Sequence, residues 1–255
     1  MNEKNLIDYY NKFNEEKRLE SKHNKIELAT TLEYIHKYIK PNDKIADIGA
    51  GTGRYSKILK DENHHVVAVE LVKHNLRQIE AKNIECYLGN AIDLNMLDSE
   101  SFDITLLFGP MYHLISMDDK IKAINEAKRI TKKNGYIFIS YCMNEFAIIK
   151  HGFIDNNIKD CIKNNQVDKN FKITPKSTDL YSFVRLNDIN YIKNVSGLKR
   201  IKIINQDGPT EYMKKDINKM DEEVFKLFYN YHLSTCELPE LLGSGRHILD
   251  ILQKQ

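Results

Sequence analysis

The chain has 255 residues and a formal net charge of +2, with 42% hydrophobic and 29% charged residues, the balance of an ordinary soluble globular protein. No apolar run approaches the roughly 18–20 residues that span a bilayer, the start lacks the basic and apolar stretches of a secretory signal, and acids alternate with bases at a pI of about 8.2, which argues against a nucleic-acid face. Four scattered cysteines, at 86, 142, 161 and 236, form no C-x-x-C pair, which speaks against structural zinc and a disulfide framework and for a reduced, cytoplasmic protein.

In chain order, residues 1–40 read as a helical cap, with Leu6, Tyr9, Tyr10 and Phe13 and then Leu28, Leu32, Ile35 and Ile39 at helical spacing. Pro41-Asn42-Asp43 ends that pattern. Strand and helix then alternate: strands are expected at 44–48, 66–70, 84–88, 102–108 and 136–142, and helices at 53–60, 71–82 and 120–132. Asn134-Gly135 reads as the turn into the strand at 136–142. Such alternation predicts an α/β fold with a parallel sheet covered on both faces. Beyond Cys142 the rhythm stops, and 144–185 reads as an insertion. Residues 186–255 return to the core with a helix at 186–195 and strands at 198–205 and 247–252, interrupted by a second insertion at 208–244 with a helix at 222–233. The core proper is expected over residues 41–143.

The sharpest local signal is Asp47-Ile48-Gly49-Ala50-Gly51-Thr52-Gly53-Arg54, a glycine-rich turn between the first core strand and its helix. Such a turn lets a ligand approach the backbone closely, under the N–H groups of a helix start. The spacing is G-x-G-x-G and not the G-x-G-x-x-G of dinucleotide sites, because position 54 is Arg. Glu70 closes the second strand 19 residues after Gly51, where a carboxylate can accept from both hydroxyls of a ribose.

These segments resemble class I S-adenosylmethionine (SAM)-dependent methyltransferases. The glycine turn corresponds to that family's first motif, 66–70 to its second, Phe102-Asp103 through Phe108-Gly109-Pro110-Met111-Tyr112-His113 to its fourth-strand motif, and Lys132 to Phe138 to the turn into the fifth strand. The chain is more narrowly similar to a poorly characterised bacterial subgroup acting on small molecules. That similarity lies in Tyr9-Tyr10, Glu15 to Leu19, Asp207-Gly208-Pro209 and Leu242 to His247. The resemblance implies a Rossmann-like seven-stranded sheet, mostly parallel with an antiparallel last strand, helices on both faces, N-terminal helices and lid insertions. It also implies SAM as cofactor, with Asp47 orienting the glycine loop and Gly49, Ala50, Gly51 and Gly53 along the methionine and ribose. Glu70 would take the ribose, Leu71, Asn90, Ala91 and Ile92 would frame the adenine, and the Phe108 carbonyl would meet the ammonium. Tyr10 belongs to the same cofactor set, and Arg18 would reach the carboxylate through two parallel bonds. Relatives often carry Asp where this chain has Asn90.

A sulfonium methyl is already activated, so transfer needs positioning and exclusion of water, and a base only where the acceptor loses a proton. His113 and His247 are the candidate bases, facing one cleft if the last strand runs antiparallel, and Tyr112 is placed to stack on an acceptor. The histidines show no metal-ligand spacing. The expected partner is a small-molecule acceptor, under aromatic-rich insertions, with the protein a monomer or homodimer and no membrane or nucleic acid involved. Two other readings compete: transfer to RNA or protein, and a regulatory protein that binds SAM without turnover.

Overall fold

The computed structural model describes residues 3–10 and 21–255. Two helices come first, α1 (Glu3–Tyr10) and α2 (Lys22–His36). The alternating core follows as β1 (Lys44–Ile48), α3 (Arg54–Asp61), β2 (His65–Glu70), α4 (Lys73–Glu80), β3 (Glu85–Leu88) and β4 (Phe102–Leu107), then α5 (Gly109–His113), α6 (Met117–Ile130) and β5 (Thr131–Cys142). The stretch expected to lack a clean strand–helix pair holds only short pieces: α7 (Asn144–Ala147), a π-helical segment (Ile148–Ile154) and α8 (Ile158–Lys163). The chain closes with α9 (Leu186–Ser196), β6 (Lys199–Asn205), α10 (Lys214–Ile217), α11 (Glu222–Thr235) and β7 (His247–Gln253).

The seven strands pair in the order β3-β2-β1-β4-β5-β7-β6, all parallel except β7, which runs antiparallel to both neighbours. The expected sheet, including its reversed last strand, is the one observed. Its physical basis lies in the strands themselves, which are apolar on both sides because helices cover both faces. Val67, Val69, Ile137 and Ile139 pack on one face beneath α6 and α9, with Ile124, Ile130 and Ile189. Ile45, Ala68, Ile104 and Phe138 pack on the other face, with Tyr34 and Ile35 of α2 and Ile79 of α4.

Two expectations shift. Asn134 and Gly135 form a bulge inside β5 rather than the turn before it: the strand begins at Thr131 and its register with β4 shifts between Phe102 and Ile104. A side chain at Gly135 would press on the Asp103 carbonyl at 2.7 Å, which explains the glycine. The stretch expected to form a helical cap holds α1 and α2, the second ending at His36 before Pro41; the expectation at Phe13 lies outside the described residues. Helix α2 is tied to the sheet by a buried relay, in which Ser140 Oγ donates to Gln206 Oε1 and Gln206 Nε2 to Thr31 Oγ1, each at 2.7 Å.

Strand order reverses at β1 and β4, so the chain leaves the sheet in opposite directions there and opens a crevice at their carboxyl ends. Because β5 and β6 are parallel to them and β7 is reversed, Cys142, Asn205 and His247 all lie at that same edge. Both insertions emerge there. Among the described residues, no helix is long and apolar enough to cross a membrane.

Candidate functional site

The crevice is built on three glycines with left-handed backbone, φ +72° at Gly49, +58° at Gly51 and +79° at Gly53. At Gly49 the need is twofold, since a Cβ there would also collide with Cδ and Cγ of Pro110 in the loop after β4. Asp47 beneath the turn is buried and accepts from Ser56 Oγ at 2.5 Å. Burial pushes its pKa up to about 6, with the Ser56 bonds pulling the other way. Glu70 at the end of β2 is also buried, and its two carboxylate oxygens accept from the N–H groups of Gly51 and Val72, both at 2.8 Å. A carboxylate has about four lone-pair sites, so this clamp fixes the group without exhausting it.

Two adjoining cavities share Gly49, Gly51, Gly109 and Tyr112 in their walls. The first runs past Glu70, Leu71, Asn90 and Ala91 and is lined on one side by Leu6 and Tyr10 of α1. The second is bounded by Asp47, Ala50, Phe108 and, from helices, Glu27, Arg54 and Tyr55. The predicted cofactor residues thus fall around one continuous crevice, with two departures. Gly53 lines neither cavity; its left-handed turn starts α3 against Ile79, where a Cβ would sit 2.8 Å from Cγ1. Ile92 also lines neither, and packs on the core while its N–H donates to Asn90 Oδ1 at 3.2 Å. Asn90 is therefore held in a turn of its own. Arg18 lies outside the described residues.

Sterics and charge of this crevice suit SAM. A Cβ-free floor at Gly49 admits close approach, and a buried acid clamped at the β2 end can take a diol. Apolar Leu71 and Ala91 suit an adenine.

The acceptor-side candidates do come together. Tyr112 and His113 end α5, with ring centroids 4.9 Å apart, and Tyr112 lies 5.9 Å from His247 at the start of β7. Their protonation differs. His113 Nδ1 donates to the Leu180 carbonyl and Nε2 accepts from Tyr10 Oη, each at 2.8 Å. Burial, reinforced by Lys120 and opposed by the Leu180 bond, pushes its pKa down to about 4, so the ring is neutral at pH 7. Burial also opposes charge on His247, but Cys142, Glu27 and Asp207 outweigh it and push that pKa up to about 10. His247 is therefore an imidazolium whose Nδ1 donates to Asp207 Oδ2 at 2.8 Å. An imidazolium cannot accept a proton, so of the two expected bases the geometry leaves only His113 in the basic form.

Three residues that sequence reasoning gave no role complete the site. Asp207 accepts from the backbone N–H of Arg246 and His247 through Oδ1, at 2.9 and 3.0 Å, and so shapes the entry to β7. Glu27 of α2 approaches His247 Nδ1 to 3.6 Å. One ligand atom each of Glu27, Asp207 and His247 lies within 4.8 Å of the others, and a cation among them would have to displace the proton that Nδ1 gives to Asp207. Lys120, 1% exposed, donates its ammonium to the carbonyls of Met111 and Leu114, which bracket Tyr112 and His113. Only Asp207 carried any signal in the sequence, as part of Asp207-Gly208-Pro209; Glu27 and Lys120 look like ordinary helix-surface charges until the helices are packed.

Residues 46–139 match the model of a family described as "Methyltransferase domain". Over 100 residues the chain is 29% identical to the probable tRNA methyltransferase 9B of Homo sapiens, covering 39% of this chain and 21% of that protein. The chain spans about a fifth of the length of this and two other curated relatives it matches. A structure from Thermotoga maritima, described as a SAM-dependent methyltransferase and possible histamine N-methyltransferase, superposes with a TM-score of 0.58 at 20% identity, covering 97% of this chain and 98% of that one. The geranyl diphosphate C-methyltransferase of Streptomyces coelicolor, solved with S-adenosylhomocysteine, gives a TM-score of 0.57 at 11% identity, with coverage of 89% and 79%. The fold is that of the Rossmann-like methyltransferases. The matched segment, residues 46–139, runs from within β1 into β5 and carries the glycine turn, Glu70 and α5.

Proposed function

We propose that the protein transfers the methyl group of SAM to a small-molecule acceptor held against Tyr112, His113 and Tyr181, under the two insertions. The observation that carries the small-molecule reading is the lining of the crevice: Tyr10 of α1 reaches over it to His113, and its walls are a narrow, largely apolar set of residues rather than a basic face. Residues 1–40 serve as cap, 41–143 as the SAM-binding core, and 144–185 and 208–244 as lids. The possible histamine N-methyltransferase and the probable tRNA methyltransferase among the similar proteins stand for the two acceptor classes in competition. The scattered charge of this chain favours the first, and the likeness to a bacterial small-molecule subgroup points the same way.

When bound, SAM supplies an activated methyl that needs no further electrophilic help. The chain's own work is then placement. Gly49 and Gly51 admit the cofactor, Glu70 takes its ribose, and Leu71 and Ala91 flank the base. Asn90 contributes polarity without charge. The neutral Nε2 of His113 exchanges the Tyr10 hydroxyl for an acceptor N–H or O–H, orienting the reacting atom; at a pKa of about 4 it is a weak base, so orientation is its larger contribution. The imidazolium of His247 adds a fixed positive charge beside Tyr112.

The test is calorimetric titration of S-adenosylhomocysteine into the protein, followed by a screen for transfer of labelled methyl to small amines, phenols and acids. Micromolar binding, about −8 kcal/mol, with turnover on a small acceptor supports the reading. Transfer to RNA alone, with salt-dependent RNA binding, would replace the acceptor class, and absent binding would remove the cofactor.

A further inference from the structure

Two segments that stand out in the sequence, Asp207-Gly208-Pro209 and Leu242 to His247, meet at one buried cluster. A Cβ on Gly245 would sit 2.6 Å from Asp207 Oδ1, so the glycine lets the second segment fold closely around the first. Asp207 Oδ1 is taken by the N–H groups of Arg246 and His247, while Oδ2 lies 2.8 Å from His247 Nδ1. Glu27 of α2 approaches the same nitrogen at 3.6 Å. The side chains of Asp207 and His247 are each 4% exposed, that of Glu27 21%.

A proton on Nδ1 joins only two of these three groups. It goes to Asp207 and leaves Glu27 beyond hydrogen-bond distance of the ring nitrogen. The neighbouring guanidinium of Arg246 is engaged by Glu211 at 3.0 Å. A metal ion, unlike a proton, can bind all three atoms. Zinc holds nitrogen and oxygen ligands at roughly 2.0–2.2 Å, which sets tetrahedral ligands roughly 3.3–3.6 Å apart. The observed separations of 2.8 and 3.6 Å fall close to that range. One imidazole and two carboxylates suit zinc, iron, cobalt or manganese better than magnesium or calcium, which prefer oxygen alone.

We propose that Glu27, Asp207 and His247 form a site for a divalent transition-metal ion, which displaces the Nδ1 proton and binds through that nitrogen and one oxygen of each carboxylate. Three protein ligands leave a tetrahedral ion one open position. Glu27, the least buried of the three, lines the second cavity together with Tyr112, so the cluster is reached from the crevice. A hydroxyl of the acceptor bound at the open position loses its proton to water more readily, because the ion stabilises the oxyanion. That role rests on the methyl-transfer reading above; the metal site stands without it.

The test uses the full-length chain, freed of metal by dialysis against a chelator and titrated with cobalt(II), whose visible d–d absorption reports its ligands. Zinc is then added as competitor. Expected is saturable binding of one equivalent, reversed by zinc. Glu27→Gln and His247→Gln should each weaken cobalt binding at least about tenfold in protein that keeps a cooperative melt. Glu27→Gln, at the least buried ligand, decides the matter if His247→Gln does not fold. His36→Gln removes an exposed histidine paired with Glu62 and should change nothing. No saturable binding to wild type, unchanged affinity in the folded ligand variants, or loss of binding in His36→Gln overturns the site. S-adenosylhomocysteine affinity is measured on the same metal-free protein. Absent binding there overturns the methyl-transfer reading and leaves the metal site standing.

Discussion

Tyr10 and His113 are 103 residues apart and joined by a 2.8 Å hydrogen bond from the phenol to Nε2, with their rings edge to face at 5.5 Å. This contact closes α1 over the cofactor cavity and stabilises the neutral form of the histidine, because the O–H needs a lone pair to donate to. Tyr10→Phe removes that bond but not the burial, which is the largest cause of the lowered His113 pKa, nor Lys120, which adds to it. The His113 midpoint, followed by NMR of its ring protons, should therefore stay well below 6.5. A midpoint that rose to 6.5 would mean that the hydrogen bond, and not burial, sets it.

Glu70 is clamped by two backbone N–H groups, so it serves both the fold of the turn and the ligand. Glu70→Ala should weaken S-adenosylhomocysteine binding by roughly 10- to 100-fold, the loss of a charged hydrogen bond worth about 1.5–3 kcal/mol. Glu70→Gln, which keeps the shape and one acceptor oxygen, should fall between. Equal affinity in all three proteins would show that the carboxylate does not face the ligand.

Gly49 combines a φ of +72° with the ring of Pro110 against the place of its absent side chain. Gly49→Ala therefore meets left-handed strain of about 1–2 kcal/mol together with a collision that moves the loop after β4. Urea unfolding should show a loss of at least ~2 kcal/mol, and cofactor binding should fall with it. A variant of wild-type stability would contradict the close packing of these two loops.

Lys120 holds the carbonyls on both sides of Tyr112-His113 from a nearly sealed position. Lys120→Met leaves them unpaired, at roughly 1–3 kcal/mol for a buried group, offset in part because a buried charge is removed. The measurable outcome is a lower urea midpoint together with shifted His113 ring resonances, since α5 loses its anchor. Unchanged resonances would assign Lys120 to packing only.

The pH dependence of stability carries two opposite signs. His247 has a folded pKa raised from 6.5 to about 10, so its contribution is complete below about pH 6.5 and is lost as pH rises through 10. His113 has its pKa lowered from 6.5 to about 4, so the unfolded chain binds that proton more readily and stability is lost as pH falls from 6.5 to 4. Urea midpoints across pH 4–10 should decline at both ends. His247→Gln should flatten the alkaline side and His113→Gln the acid side; a variant that flattened the opposite side would reverse the assigned charge states.

What could be read along the chain were the features set by local chemistry. The strands of the core are continuous apolar runs because both sheet faces are covered. The turn after β1 is glycine-rich because its backbone is left-handed and tightly approached, and Glu70 stands out as an acid ending an apolar strand. Those signals are short-range, so the sheet, the crevice and most of its wall were legible without coordinates. What only packing decided were the properties that depend on neighbours distant in sequence. Tyr112, His113 and His247 could be placed at one edge, but the neutral form of His113 comes from burial and Lys120, and the charge of His247 from Cys142, Glu27 and Asp207, on other segments of the chain. Lys120 and Glu27 are indistinguishable from surface charges until helices bury them, and Ile92 turns into the core because Asn90 takes its N–H. Burial and Coulomb interactions act through space, and a linear pattern records neither.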